Sequence, residues 1–186
     1  EFVKFGESST IGYQVSRWLS RISDSKVELI PERMDSEQVK VSFNSDGLDG
    51  ISPQNLGAGI SYLAKVIILC FMAKKGDLVI IENPEIHVHP KSQSILGEFF
   101  SFVASKGVQL IIETHSEHLI HKVAFQTYQD VIKTQDVVIH YKSSVCDNFK
   151  TMFIDENGEF NNSNGDVVSF PSGFFDASLS DLMEMR

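Results

Sequence analysis

Cysteine and basic residues are both scarce in this sequence, and each scarcity excludes a class of protein. Cys70 and Cys146 are its 2 cysteines, too few for a disulfide framework or a cysteine-based zinc site. The 16 Lys and Arg residues are outnumbered by 25 Asp and Glu residues, which gives a net charge of −9. A basic footprint over the whole domain, as nucleic-acid binding proteins carry, is therefore absent, although a local basic patch stays open.

Long apolar runs are also missing. The longest, residues 66–73, is far shorter than the roughly 20 residues of a membrane span. The N-terminus carries Lys4, Glu7 and small polar residues instead of the pattern of a signal peptide. We therefore expect no membrane association and a reducing, cytoplasmic setting. Because the sequence opens on Glu1 and not on Met, we also expect it to be a piece of a longer protein.

The remaining composition suits one compact domain. The 186 residues are 42% hydrophobic and 22% charged, enough to bury a core. We treat residues 1–186 as a single domain with three stretches. Residues 1–50 hold a helix and a hairpin, residues 51–142 hold the core, and residues 143–186 hold a C-terminal strand and helix extension.

Apolar periodicity predicts the order of the elements. It indicates helices over residues 10–22, 59–75, 90–102 and 117–128, a short one from Ala177, and strands over residues 26–31, 38–43, 77–82, 108–112, 137–141 and 149–154. Residues 44–55 are predicted to form a loop, and Gly76 to end the second helix. The runs 78–81 and 108–112 are apolar at nearly every position, which predicts adjacent parallel strands buried on both faces. We expect an α/β fold whose largely parallel sheet extends to residue 141, with the strand 149–154 near an edge.

Three loops lie where open α/β sheets bind their ligands, at strand or helix ends. The first, residues 52–61, we call the glycine loop. Gly57 and Gly59 allow backbone amides to point at an anion such as phosphate at a helix N-terminus, with Asn55 and Ser61 beside them. The alternative is a flexible loop that ends in a helix cap.

The second loop, residues 82–89, we call the carboxylate loop. A hydrophobic strand delivers Glu82, Asn83 and Glu85 at its tip. A carboxylate in this position can hold Mg²⁺ or its water shell, and a nearby acceptor can orient an attacking water. The alternative is an ordinary surface acid at a strand end.

The third loop, residues 113–116, we call the histidine loop. His115 follows a buried strand and can hydrogen-bond a γ-phosphate or an attacking water, although a lone histidine is often structural. A metal hydrolase site built on Glu82, His87, His89 and His115 is an alternative. The helical spacing of His115, His118 and His121 argues against a converging set, because it spreads the three around the helix axis.

The three loops together resemble ABC-type ATPases of the SMC-like and OLD-nuclease-like kind. The stretch Glu-Asn-Pro-Glu-x-His-x-His-Pro after a strand resembles their Walker B segment, and Glu-Thr-His-Ser after the next strand resembles their switch histidine. Gly57-Ala58-Gly59 lies where they carry the ABC signature, and order and spacing agree over residues 52–119. The whole chain is most similar to the C-terminal half of bacterial AAA/ABC ATPases that carry a C-terminal domain of unknown function, in which an ending like residues 171–176 recurs.

The resemblance implies ATP and Mg²⁺ as cofactors and gives roles to single residues. Glu82 would take the Walker B position on Mg²⁺, and His115 would be the switch histidine. Asn83 stands where the catalytic glutamate is usual, so either Glu85 activates the water or hydrolysis is slow. Gly57 and Gly59 would hold the γ-phosphate of nucleotide bound to the other subunit. The resemblance leaves Gln54, Asn55 or Ser61 to replace a missing serine hydroxyl.

A P-loop is absent from the sequence. The nearest stretch, residues 6–13, has no lysine and the wrong spacing. The resemblance therefore implies a P-loop-bearing half upstream or on another chain, and a homodimer formed through the glycine loop. A nuclease partner is compatible with it, as is DNA in a defence or DNA-maintenance system. A non-catalytic interaction module is the third hypothesis, which Asn83 and the missing P-loop favour for this chain alone.

Overall fold

The computed structural model describes residues 10–36 and 38–171. Its helices are α1 (Ile11–Ser23), α2 (Ala58–Met72), α3 (Pro90–Ser105) and α4 (Glu117–Tyr128). Its strands are β1 (Val27–Arg33), β2 (Val39–Ser45), β3 (Leu48–Ile51), β4 (Leu78–Glu82), β5 (Gln109–Glu113), β6 (Val138–Tyr141), β7 (Lys150–Ile154) and β8 (Phe160–Asn161). The helix predicted from Ala177 lies outside the described residues, as does most of the 171–176 motif. Within the described part of the chain, no helix is long and apolar enough to cross a membrane.

Helix α1 and the β1–β2 hairpin form as the sequence predicts, and α1 packs against β1. The Thr10 side chain caps α1, and Val15, Leu19 and Ile22 on one face are buried. Strands β1 and β2 pair antiparallel from Val27↔Ser45 to Arg33↔Val39.

The predicted loop over residues 44–55 is wrong in its middle, because residues 48–51 form β3. Asp46 and Gly47 both have positive φ, 49° and 86°, which is the signature of a tight type I′ hairpin turn. This turn folds β3 back onto β2, with Ser45 opposite Leu48. The Asp46-Gly47 pair is a typical hairpin turn sequence. The residues after it lack the apolar alternation of a strand, so β3 was not predicted.

Strands β4 and β5 are parallel and adjacent, which confirms their predicted pairing. Their register runs from Leu78↔Gln109 to Glu82↔Glu113. The prediction that both faces are buried is wrong for this chain. Ile81 is buried, whereas Leu78, Ile80 and Ile111 on the opposite face are 50%, 64% and 51% exposed. We call this opposite face of β4 and β5 the outer face.

Helix α2 ends earlier than predicted, at Met72 instead of residue 75. Gly76 does not end the helix but occupies the turn that enters β4, with φ of 93°. In that turn the Asp77 amide donates to the Lys74 carbonyl, and the Asp77 carboxylate accepts from the Lys74 amide. Asp77 thus stabilises the turn, and Gly76 adopts the left-handed backbone conformation that the turn requires.

Helix α3 packs against β5, and helix α4 packs against α3. Pro90 opens α3, and Ser116 caps α4 by accepting from the Leu119 amide, both as predicted. Gly97 allows the two helices to approach closely, because a Cβ there would lie 2.6 Å from the Leu119 carbonyl oxygen.

The strand predicted to extend the parallel sheet belongs to another sheet. β6 pairs antiparallel with β7, and β7 pairs antiparallel with β8, in the order β6-β7-β8. The strand predicted near an edge is therefore the central one of this sheet. β8 is a two-residue strand that follows the Glu156-Asn157-Gly158 turn, and so short a segment has no periodicity to reveal it.

Candidate functional site

The carboxylate and histidine loops meet at the C-terminal end of the parallel strands. Glu82 and Glu113 lie opposite each other in register, and the Asn83 amide donates to the Glu113 carbonyl at 2.9 Å. Both glutamates are exposed. Because side chains alternate along a strand, they share the outer face with the exposed Leu78, Ile80 and Ile111. Two carboxylates thus stand at the end of an apolar surface.

The carboxylate loop turns sharply after Glu82. Asn83 has φ of 46°, in the left-handed region, and its carbonyl accepts from the Ile86 amide. Asparagine tolerates this conformation better than most residues with a Cβ. The identity of residue 83 therefore has a backbone reason in addition to any chemical one.

Glu85 points at the histidine loop. Its Oε1 accepts from the His115 amide at 2.7 Å, and its Oε2 is buried without a hydrogen-bond partner among the described residues. One oxygen thus positions the backbone of His115, and the other is a buried acceptor to which no described residue donates. The His115 side chain itself is exposed.

A second bridge joins the same two loops through α3. The Gln93 Nε2 donates to the Val88 carbonyl at 2.8 Å, and the Ser116 hydroxyl donates to the Gln93 Oε1 at 2.7 Å. Ser116 is buried, so this polar contact is shielded from solvent. The residues on which the two bridges act, His115 and Ser116, are consecutive.

The glycine loop packs against the carboxylate loop within the chain. Gly57 has φ of 94° at the N-cap of α2, and Gly59 is buried so closely that a Cβ would lie 2.6 Å from the His87 carbonyl oxygen. The Ser61 hydroxyl donates to the Pro53 carbonyl, which ties α2 to the 3₁₀ turn before it. Asn55, at the end of that turn, is exposed.

Tyr62 on α2 makes a direct contact to the tip of β4. Its hydroxyl donates to the Glu82 carbonyl at 2.6 Å. Burial, followed by the Glu82 and Glu85 carboxylates, raises the pKa of the Tyr62 hydroxyl above its ordinary value. The Tyr62 hydroxyl at the end of β4 is therefore partly desolvated and lies near two carboxylates.

The alternative metal site built on histidines is not formed. Across residues 10–36 and 38–171, no three His, Cys, Asp or Glu side chains are grouped closely enough to hold a metal ion. His89 instead caps α3 through its Nδ1, which accepts from the Lys91 amide at 3.3 Å. The metal-hydrolase alternative therefore lacks its ligand set.

Sequence reasoning missed three residues of this site. Tyr62 and Gln93 carry no local motif, and Glu113 was quoted only as the first residue of the Glu-Thr-His-Ser stretch. The roles of all three come from contacts to distant parts of the chain. Glu113 was the one with a usable signal, because it ends a buried strand next to another that ends in Glu82. Nothing in the sequence around Tyr62 or Gln93 distinguishes them from residues on any helix.

The sequence matches a protein family over most of the part that forms this site. Residues 9–121 match the sequence model of the family described as "AAA domain, putative AbiEii toxin, Type IV TA system". The chain belongs to this family. The predicted resemblance to AAA-family ATPases is thereby confirmed. Among curated proteins, none matches the sequence.

Solved structures confirm the fold class. One described as "Structural biochemistry of ATP-driven dimerization and DNA stimulated activation of SMC ATPases" gives a TM-score of 0.55 at 13% identity, covering 95% of this chain and 91% of that one. Another, "Crystal structure of the SmcHead bound to the C-winged helix domain of ScpA", gives 0.51 at 14% identity over 60% of this chain. The chain spans 36% of the length of that Smc head. At these identities the likeness shows the α/β fold of an SMC head.

Proposed function

We propose that this chain binds and hydrolyses ATP as the C-terminal portion of an ABC-type ATPase, together with a P-loop-bearing half. The observation that carries the proposal is the meeting of the carboxylate and histidine loops. Glu82 and Glu113 lie in register, and Glu85 holds the His115 amide. Glycine-loop residues pack against the same segment at His87. The three segments that an ATPase of this family needs are thus joined to one another.

The residues present fit Mg²⁺ and phosphate chemistry. Glu82 offers an exposed carboxylate, and hard oxygen donors are what Mg²⁺ prefers. Mg²⁺, when bound with nucleotide, neutralises the charge that develops on the phosphates. The unpartnered Oε2 of Glu85 is an acceptor that could orient a water, and the exposed His115 imidazole could donate to a phosphate.

The glycine loop is proposed to contact nucleotide held by a second subunit. Gly57 is exposed at the start of α2, where backbone amides and the helix dipole favour an anion. The Ser61 hydroxyl already donates to Pro53, so the exposed Asn55 is the better source of a side-chain contact. A homodimer that encloses nucleotide between its subunits is part of the same proposal.

The outer face supports the proposal that another part of the protein covers the sheet. Leu78, Ile80 and Ile111 form an exposed apolar surface that ends at Glu82 and Glu113. Apolar surface of this kind is stabilised by burial. A P-loop-bearing half seated there would hold its phosphates beside the two carboxylates. A cytoplasmic role in defence or DNA maintenance, with DNA or a nuclease as partner, is part of the same proposal and agrees with the toxin–antitoxin description of the family.

The test is ATP turnover by the full-length protein with the single change Glu82→Gln. The amide keeps the size of the side chain but removes the charge that would hold Mg²⁺. We therefore expect Mg²⁺-dependent turnover to fall severely. The control is Glu28→Gln, an exposed acid in the β1–β2 hairpin. Unchanged turnover in Glu82→Gln, or equal losses in both variants, would contradict the proposal.

A further inference from the structure

Two bridges hold the histidine loop on the carboxylate loop, and they act on neighbouring residues. Glu85 accepts from the backbone amide of His115, and Gln93 accepts from the side chain of Ser116. The far end of each bridge lies in the carboxylate loop, at Glu85 itself and at the Val88 carbonyl. His115 is thus held through its own backbone amide and through the side chain of the next residue, Ser116, while its imidazole is exposed.

The orientation of the Gln93 amide follows from its partners. The Val88 carbonyl can only accept, so the Gln93 NH₂ group must face it. The Gln93 oxygen then faces the Ser116 hydroxyl, whose own oxygen already accepts from the Leu119 amide. The Ser116 hydroxyl and the Gln93 amide each donate one hydrogen bond and accept one. Together these bonds form a series that runs from the first turn of α4 to the carboxylate loop. Hydrogen bonds linked in this way polarise one another and strengthen the chain.

A glutamine that served only α3 would bond within its own helix or with solvent. Gln93 instead reaches two segments, one five residues before it and one 23 residues after it. Both segments belong to the site, and neither bond goes to a residue of α3.

We propose that Gln93 is a positioning residue for catalysis, which holds His115 in place relative to Glu82. The inference rests on the proposed function, because Gln93 matters for turnover only if the chain takes part in ATP hydrolysis. Gln93 acts through Val88 and Ser116. Losing it lets the histidine loop move, and a displacement of about 1 Å can lower a rate by roughly 100-fold.

The experiment uses the full-length protein with two changes at one position. Gln93→Leu removes both hydrogen bonds at similar volume, and Gln93→Glu keeps an acceptor for Ser116 but loses the donor to Val88. Steady-state kinetics give kcat and KM for ATP, and amide hydrogen exchange reports on residues 113–119. The control is Ser101→Ala, a buried α3 serine whose hydroxyl bonds to Gly97 in the same helix.

We expect kcat to fall by about 10- to 100-fold in Gln93→Leu and by less in Gln93→Glu, with KM unchanged. Exchange at residues 113–119 should accelerate in the same order, and Ser101→Ala should change neither quantity. Wild-type kcat and exchange in Gln93→Glu, with only a lower melting temperature in Gln93→Leu, would overturn the inference by assigning Gln93 to stability alone. An unmodified protein that neither binds nor hydrolyses ATP would contradict the proposed function. The exchange measurement does not require ATP turnover, so it distinguishes that failure from a failure of the inference about Gln93.

Discussion

At the scale of single residues, Asn83 combines a backbone role with a chemical one. Its φ of 46° favours asparagine, but its amide cannot serve as a general base. We expect Asn83→Glu in the full-length protein to preserve or raise turnover, since it supplies a carboxylate. The left-handed backbone should cost on the order of 1 kcal/mol of stability. Turnover and the denaturant midpoint measure the two effects separately.

The control for that change is Asn83→Asp, which tolerates the left-handed backbone and carries a shorter carboxylate. It should lose less stability than Asn83→Glu. A folded Asn83→Glu protein with reduced turnover would show that the amide itself is needed.

Glu85 holds the His115 amide, and it is also the residue proposed to activate the attacking water. The change Glu85→Gln separates these two roles. The amide oxygen of the glutamine can still accept from the His115 amide, so the contact between the loops is kept. If Glu85 activates the water, turnover should fall by about 10²–10⁴-fold. An unchanged rate in Glu85→Gln, together with a rate abolished in Asn83→Ala, would mean that the Asn83 amide positions the water.

Gly59 permits the closest approach between the glycine and carboxylate loops. A Cβ at residue 59 would lie 2.6 Å from the His87 carbonyl oxygen, so the backbone must move. We expect Gly59→Ala to lower the free energy of unfolding by about 1–3 kcal/mol. Gly12→Ala is the matched control, because its nearest neighbours lie at 3.8 Å. Denaturant unfolding of both variants checks the difference, and equal midpoints would contradict the expected clash.

At the scale of elements, the sequence predicted those whose signals are local. The amphipathic α1, the proline that begins α3 and the Ser116 cap of α4 each depend on residues within one turn of each other. Sheet membership was not predictable in this way. β6 has the apolar character of a parallel strand, yet it pairs with β7, and only contacts between distant residues decide that choice.

The outer face shows a second limit of local patterns. An apolar run predicts that a strand is covered on both faces, and Ile80 and Ile111 are nevertheless exposed. The pattern describes the burial of a strand in its complete environment, and residues 10–36 and 38–171 cover one face of this sheet. The candidate site has the same limit: its motif residues were predictable, whereas Tyr62 and Gln93 act through contacts that no motif encodes.

At the scale of the whole molecule, the chain contains the carboxylates and the histidine of the site but lacks a P-loop. P-loop amides and the P-loop lysine make most contacts to the β- and γ-phosphates in ATPases of this fold. The described chain leaves an exposed apolar face ending at Glu82 and Glu113, where another part could bind. The absence of a P-loop and the exposed apolar face therefore both support the proposed P-loop-bearing half.

We expect the isolated chain of 186 residues to release phosphate from ATP far below the roughly 1 s⁻¹ of an ordinary ATPase in the presence of Mg²⁺. Joining it to a P-loop-bearing half should restore turnover, because the phosphates then gain their amide and lysine contacts. The same assembly with Glu82→Gln is the control for contaminating activity, since its rate should stay low. Turnover near 1 s⁻¹ by the isolated chain, lost in its own Glu82→Gln variant, would show that these residues bind the phosphates without a P-loop.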